Sequence, residues 1–346
     1  VGRFMFCALA PMLYNVGIII GTVWFTGGVN LFGWQIFDGG IMGVALGVVL
    51  GSFLQLIVSA VGLAGLGFDY NFKIYWRNKG FRKVLSLLPA RSVDQGMDYV
   101  VSLVEVNLAS RLADGTVRAY QQALTLHMMP INLIGVAISN AAFPQLTEHL
   151  GEGRNDLFQK DLRSLLRIIF WMALPVSVVI FFTRGYVVHF IRNGGNQLIA
   201  GILGCLVVAI LFRTIYHMAA RAFYARQDTK TPLYISIFSI TLNIILAIVL
   251  SMVLKMGAYG LAWAQSTVAV LEVVVLLAVM NRQMPKLFDM TFVRAIFKMI
   301  IAGTVTGVVC YIAVLIMPFR YHDDSFFSAF PKFVIISLVS FGAYAA

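Results

Sequence analysis

Charge is what this chain has least of. Only 12% of its 346 residues are Asp, Glu, Lys or Arg, where a soluble domain carries about 25%. Hydrophobic residues make up 60% and the mean hydropathy is +0.86. A water-soluble globule of this composition would expose too much apolar surface, so that class is excluded. Disorder is excluded as well, because it requires low hydrophobicity and high charge. Cysteine is scarce: Cys7, Cys205 and Cys310 each stand alone inside an apolar run. Three cannot all pair internally, and no two have metal-ligand spacing, so neither a disulfide scaffold nor a cysteine metal centre is expected. There are five histidines. No acyl-transfer triad, phosphate-binding loop or metal-ligand cluster is visible, so an enzyme is not expected. The 26 Lys+Arg outnumber the 15 Asp+Glu, for a net charge of +11. That excess lies in short loops between long apolar runs, which is the pattern of membrane topology and not of a nucleic-acid binder.

What is present is a series of such runs. A helix needs about 20 mainly apolar residues to cross the hydrocarbon core. Spans are predicted at Phe4–Phe25, Ile41–Leu66, Val84–Leu108, Tyr120–Leu146, Leu165–Phe182, Leu198–Phe223, Pro232–Leu254, Gly260–Met280, Arg294–Met317 and Pro331–Ala346. The runs are continuous rather than alternating, so the class is an all-α polytopic membrane protein of about ten helices and not a barrel. Most of the basic residues fall on one set of loops: Arg3, Lys73–Lys83, Arg154–Arg167, Arg221–Lys230 and Arg282–Lys298. By the positive-inside rule those loops are cytoplasmic. The polar stretch 147–164 reads either as a solvated connector or as a short helix at the interface. In the second case Leu157, Leu162, Leu165 and Leu166 form the apolar edge, and Arg154, Lys160 and Arg163 face anionic head groups.

An internal repeat is visible. Gly40-Ile-Met-Gly43-Val-Ala45 opens the second span and Gly257-Ala-Tyr-Gly260-Leu-Ala262 the eighth; Leu54-Gln55-Leu56 and Leu271-Glu272-Val273 follow at equal distances. Tyr14-Asn15-Val16 pairs with Leu242-Asn243-Ile244 in the preceding spans. Both copies cross in the same direction, so the repeat is parallel. The second copy covers six spans and the first shows only its last two. Four helices are therefore expected ahead of Val1, fourteen in all. The chain opens at Val1 and closes at Ala346 inside apolar runs, and both ends read as cut.

Ionisable groups inside spans face protein or a hydrated cavity. The third span places Arg91, Asp94, Asp98, Ser102 and Glu105 along one face by spacings of three, four and seven. That stripe reads either as a cavity wall or as a set of interhelical ion pairs and hydrogen bonds. The fourth span carries Thr125 and His127 before Pro130, and the sixth carries Arg213 and His217 at i,i+4. Arg213 reads as an anion contact or as half of a structural ion pair. Glu272 and Gln55 occupy matching repeat positions, which favours a shared packing role. Thr231 before Pro232 reads as a helix cap, and Pro130 and Pro144 as points where a helix can bend.

Two stretches are specific. Pro130-Ile-Asn-Leu-Ile-Gly135-Val-Ala-Ile138 with Ala142-Phe143-Pro144-Gln145-Leu146 is one; Arg221-Ala-Phe-Tyr-Ala-Arg-Gln-Asp228-Thr-Lys-Thr-Pro232 with Leu242-Asn243-Ile244 is the other. Both resemble the MurJ/MviN lipid II flippases of the MOP exporter superfamily. The resemblance implies the C-terminal part of a fourteen-helix, two-lobe flippase. Residues 1–68 would be the last two helices of the N-terminal lobe, 84–281 the six-helix C-terminal lobe, and 292–346 an incomplete C-terminal pair. It implies a multi-pass protein of the bacterial cytoplasmic membrane, with membrane lipids as its surroundings and lipid-linked peptidoglycan precursor as its substrate. The precursor, undecaprenyl-diphosphate-linked, would be flipped to the periplasmic leaflet by alternating access, its tail lying along the last two helices. The alternatives are a related exporter of another polyprenyl-linked glycan or a drug, and a non-transporting scaffold. The candidate cavity residues are Arg91, Asp94, Asp98, Thr125, His127, Arg213 and His217, with Thr125 nearest the position of a family arginine that is absent here. The candidate gate loop holds Arg226, Asp228 and Lys230. No cofactor is expected beyond sodium coupling. For that, Glu105 and Asn243 match family positions, Gln265 stands where threonine is usual, and Ala247 replaces a second polar ligand.

Overall fold

The computed structural model describes residues 4–31, 34–37, 39–63, 78–191, 196–284, 287–319 and 326–345, with the backbone alone for some helical stretches, 86–95 and 97–98 among them. Of the predicted Lys73–Lys83 loop, Lys73 and Arg77 lie outside the described residues. The chain divides into two compact units, Val1–Asn78 and Lys79–Ala346.

In the first unit, α1 (Phe4–Ile20) runs on through a π-helical turn, Gly21–Phe25, and packs along α2 (Ile41–Leu63). Glycines set the spacing. A Cβ on Gly17 would stand 2.3 Å from the Gly51 Cα, and one on Gly21 would stand 2.3 Å from the Gly47 Cα. Only glycine lets two backbones approach this closely, which is how helices associate where lipid removes the hydrophobic drive between them. The connection between α1 and α2 contains a small antiparallel hairpin, β1 (Val29–Leu31) with β2 (Trp34–Phe37), which the span reading does not predict. Gly28, Gly39 and Gly40 flank it at positive φ, and the Gly40 N–H bonds to the Thr26 carbonyl. These turns let the linking backbone satisfy its own polar groups.

The second unit has no strand among its described residues and is built of helices. It comprises α3 (Lys79–Ser110), α4 (Thr116–Pro130), α5 (Ala137–Gly151), α6 (Asn155–Ile191), α7 (Gln197–Ala225), α8 (Lys230–Ile248), α9 (Ala258–Gln283), α10 (Met290–Ile316) and α11 (Phe326–Ala345). A π-helical segment, Ile131–Val136, joins α4 to α5 into one span, and another, Val249–Val253, ends α8. Eight described helices are long and apolar enough to cross a membrane, and the shorter apolar segments Leu9–Phe25 and Tyr99–Ser110 lie on two others. The polytopic reading therefore holds.

Helix α7 is central, packed on α4, α6 and α9. It is apolar nearly all round, and its many buried alanines, from Ala200 to Ala225, admit neighbours closely. Leu146, Phe158, Leu162, Met218, Phe223 and Leu276 form a core at the basic end. Tyr120, Leu203, Leu206 and Leu261 belong to another toward the opposite end.

The 147–164 stretch is not an interfacial helix. Only Glu152–Arg154 link α5 to α6, and α6 starts at Asn155. Phe158, Leu162 and Leu166 are at most 3% exposed because they face the bundle, not lipid. Helix α6 is long enough to dock this way: 37 residues rise about 55 Å, against a hydrocarbon core of about 30 Å. Arg163 turns back into the protein, its Nε donating to the Leu287 carbonyl at 2.9 Å and its Nη1 meeting Asp289 at 2.6 Å.

Candidate functional site

The two helix pairs of the sequence repeat share a local device. Each leading helix ends in a π-helical turn, and a glycine in the first turn of the next helix presses on it. A Cβ on Gly43 would lie 2.4 Å from Phe25 backbone atoms, and one on Gly260 would lie 2.6 Å from the Leu250 carbonyl carbon. Gly135, inside the α4–α5 junction, presses likewise on the Thr214 backbone of α7, at 2.9 Å. Pro130, the predicted bending point, thus lies just ahead of the place where the fourth span crosses α7. π-Helical turns leave backbone groups out of the regular ladder and mark points where a helix can yield.

Polar groups converge beside this crossing. Glu105 of α3 is 2% exposed. Its two carboxylate oxygens accept from the Gln265 side-chain nitrogen of α9 at 2.9 and 3.1 Å, and the buried Tyr120 of α4 lies beside them. Two turns along α9, Glu272 forms an ion pair with Arg213 of α7 at 3.0 Å. The Glu272 side chain is 3% exposed and that of Arg213 is 26%. The Arg213 guanidinium also lies 5.8 Å from the Tyr216 ring centre. Gln265 and Glu272 are seven apart, so α9 presents both from one face, one to α3 and one to α7. A buried charge in a membrane bundle must be paired or hydrogen-bonded, and these contacts meet that demand.

The structure separates several residues that spacing had grouped. Ser102 is exposed while Glu105 is buried with Val101, Leu108 and Ala109, so the α3 stripe divides between two faces. The side chains of Arg91, Asp94 and Asp98 lie outside the described residues. Thr125 is exposed, with its hydroxyl bonded to the Gln121 carbonyl, whereas His127 is 2% exposed, with Nδ1 2.7 Å from the Leu124 carbonyl. Two residues apart on a helix, they point to different sides. His217 is half-buried one turn beyond Arg213. Asn243 is buried on α8, and its side-chain oxygen has no hydrogen-bond partner among the described residues.

At the basic end, Asp228 is a cap. Its carboxylate accepts from the Thr231 N–H at 3.0 Å and the Thr231 hydroxyl at 2.6 Å, just ahead of α8. The capping residue is therefore Asp228, and Thr231 is its donor, because a carboxylate reaches the free N–H groups of the first turn better than a hydroxyl inside it. Partial burial pushes this carboxyl up, but the Thr231 bonds, with help from Gln283 and the Lys230 N–H, hold it below the usual value. Arg226 binds the Gln283 side chain at 2.6 Å, and Lys230 is exposed. Asp289 caps α10 in the same way, accepting from the Phe292 N–H at 2.8 Å and the Thr291 hydroxyl at 2.7 Å. Those two bonds, with Arg163 and Arg167 beside them, hold its carboxyl below the usual range. Sequence reasoning missed this clasp between α6 and α10; its signal was the Asp289-Met-Thr-Phe292 start, which reads as a cap before an apolar run.

The chain matches the family model described as lipid II flippase MurJ over residues 1–330. It belongs to the MurJ lipid II flippase family. With its apolar spans, that makes it a multi-pass protein of the bacterial inner membrane. A probable lipid II flippase MurJ of Borreliella burgdorferi is 25% identical over 269 residues, covering 76% of this chain and 51% of the relative. One of Thermotoga maritima is 26% identical over 313 residues, covering 89% and 59%. The chain thus spans between half and three-fifths of these MurJ relatives. A solved structure, lipid II flippase MurJ in an inward closed conformation, superposes with a TM-score of 0.70 at 22% identity, over 99% of this chain and 67% of that one. That likeness establishes the MurJ fold.

Proposed function

We propose that the intact protein flips undecaprenyl-diphosphate-linked peptidoglycan precursor from the cytoplasmic to the outer leaflet by alternating access, as a transporter and not an enzyme. The observation that carries this reading is the family match over residues 1–330. On it, residues 1–68 are the last two helices of the N-terminal lobe, 84–281 the C-terminal lobe and 292–346 the C-terminal pair.

Three features support an alternating cycle. Glycines press on the π-helical turns that end α1 and α8, and the turn within the fourth span presses its own Gly135 on α7. The polar contacts of α9 join separate helices and can be exchanged without breaking secondary structure. Caps at Asp228 and Asp289 fix helix starts at the basic end. In this arrangement Arg213 braces α7 against α9 through Glu272. The lipid environment supplies the solvent, and the family match supports the precursor as substrate.

The test is reconstitution of the intact protein in vesicles carrying a fluorescent precursor, read by a membrane-impermeant quencher. Precursor that becomes quenchable with the protein, and stays protected without it, supports the reading. Equal protection in both defeats it.

A further inference from the structure

The resemblance implies a sodium-type cation at Glu105, and the residues around that carboxylate do not fit one. A hard cation takes several oxygen ligands. Here both oxygens of Glu105 already meet the Gln265 nitrogen, at 2.9 and 3.1 Å. With Glu105 ionised the amide turns this way, since its own oxygen would otherwise face a carboxylate at hydrogen-bond distance. The Tyr120 hydroxyl, buried nearby and without a hydrogen-bond partner among the described residues, is a second group able to donate. Position 247 is a fully buried alanine, so of the two family positions on α8 only Asn243 offers a side-chain oxygen, buried and without a hydrogen-bond partner among the described residues, and one such oxygen does not make the several a hard cation takes.

We propose that the Gln265 amide is a built-in replacement for a bound cation: it ties Glu105 of α3 directly to α9 and makes that contact independent of monovalent cations. The amide places partial positive charge where a cation would sit, and it is covalently part of α9, so nothing has to be captured from solution. The α3–α9 contact then closes and opens on side-chain hydrogen bonds alone. This concerns the ion requirement of the fold and does not rest on the identity of the transported molecule.

Thermal unfolding of the purified full chain in detergent tests it, in sodium, potassium and choline chloride at one ionic strength. The wild type is expected to unfold at the same midpoint in all three. Gln265→Glu sets two carboxylates against each other, and its midpoint is expected to fall in choline and to rise by several degrees in sodium. Glu105→Gln is expected to be indifferent to the cation. A sodium-specific rise of the wild-type midpoint that Glu105→Gln removes overturns the proposal.

Discussion

Removing the Arg213 side chain as Arg213→Met should destabilise the bundle more than its exposure suggests. The Arg213 side chain is 26% exposed, but that of its partner Glu272 is 3% exposed and sits 3.0 Å away on α9. The cost is therefore borne by the carboxylate left behind. Breaking a buried pair from one side costs about 3–5 kcal/mol, and the partial exposure of Arg213 brings the expectation to about 2–3 kcal/mol, since part of the pair is screened. Replacing both partners, Arg213→Met with Glu272→Leu, removes charge and desolvation penalty together and should lie within about 1 kcal/mol of the wild type. The coupling from the double-mutant cycle is then at least about 2 kcal/mol, larger by whatever Glu272→Leu costs alone. The assay is reversible unfolding of the purified protein in mixed micelles, followed by helical circular dichroism. If the two single effects simply add, within about 0.5 kcal/mol, the pair does not act as a unit and the brace between α7 and α9 is wrong.

Gly47→Val puts a side chain where even a Cβ would stand 2.6 Å from the Gly21 Cα. It should cost at least about 1–3 kcal/mol and lower the yield of folded protein, whereas Gly27→Ala, with open space around it, should leave the yield unchanged. Asp228→Ala should cost about 1 kcal/mol by removing the α8 cap. Because the folded carboxyl lies below its ordinary value, the cap contributes fully above pH ~4 and its contribution fades as pH falls through the folded value; unfolding midpoints of wild type and variant should converge in acid. For topology, single cysteines at Asn78 and Asn196 in a cysteine-free background should label from opposite sides, Asn78 from the cytoplasm; labelling of Asn78 from outside intact cells contradicts the charge-bias orientation.

The spans were legible because membrane crossing imposes a minimum apolar length that is read directly from residues. The repeat was legible through Gly43 and Gly260, whose role in holding backbones close leaves few substitutes. What sequence could not resolve is which of several neighbours a polar group meets. Arg213 stood open between an anion contact and an ion pair, and only the packing of α7 on α9 brings Glu272 to it. Gln265 stood as an imperfect cation ligand, yet its amide serves as a donor to Glu105. The start of α6 was misread because Leu162 and Leu166 make the same amphipathic pattern whether they face lipid or the bundle. Asp228, rather than Thr231, caps α8, since the choice of cap depends on a local turn with Gln227 at positive φ that composition does not encode.

The most direct test of the account is precursor translocation by the intact protein in vesicles, comparing wild type with Arg213→Met and with the double variant Arg213→Met/Glu272→Leu at matched protein levels. The account predicts translocation by the wild type, a marked loss in the single variant and substantial recovery in the double variant, because the pair is a brace and not the phosphate ligand. No translocation by correctly folded wild type would contradict the proposed function. Equal loss in both variants, with both folded, would contradict the role given to the Arg213–Glu272 pair.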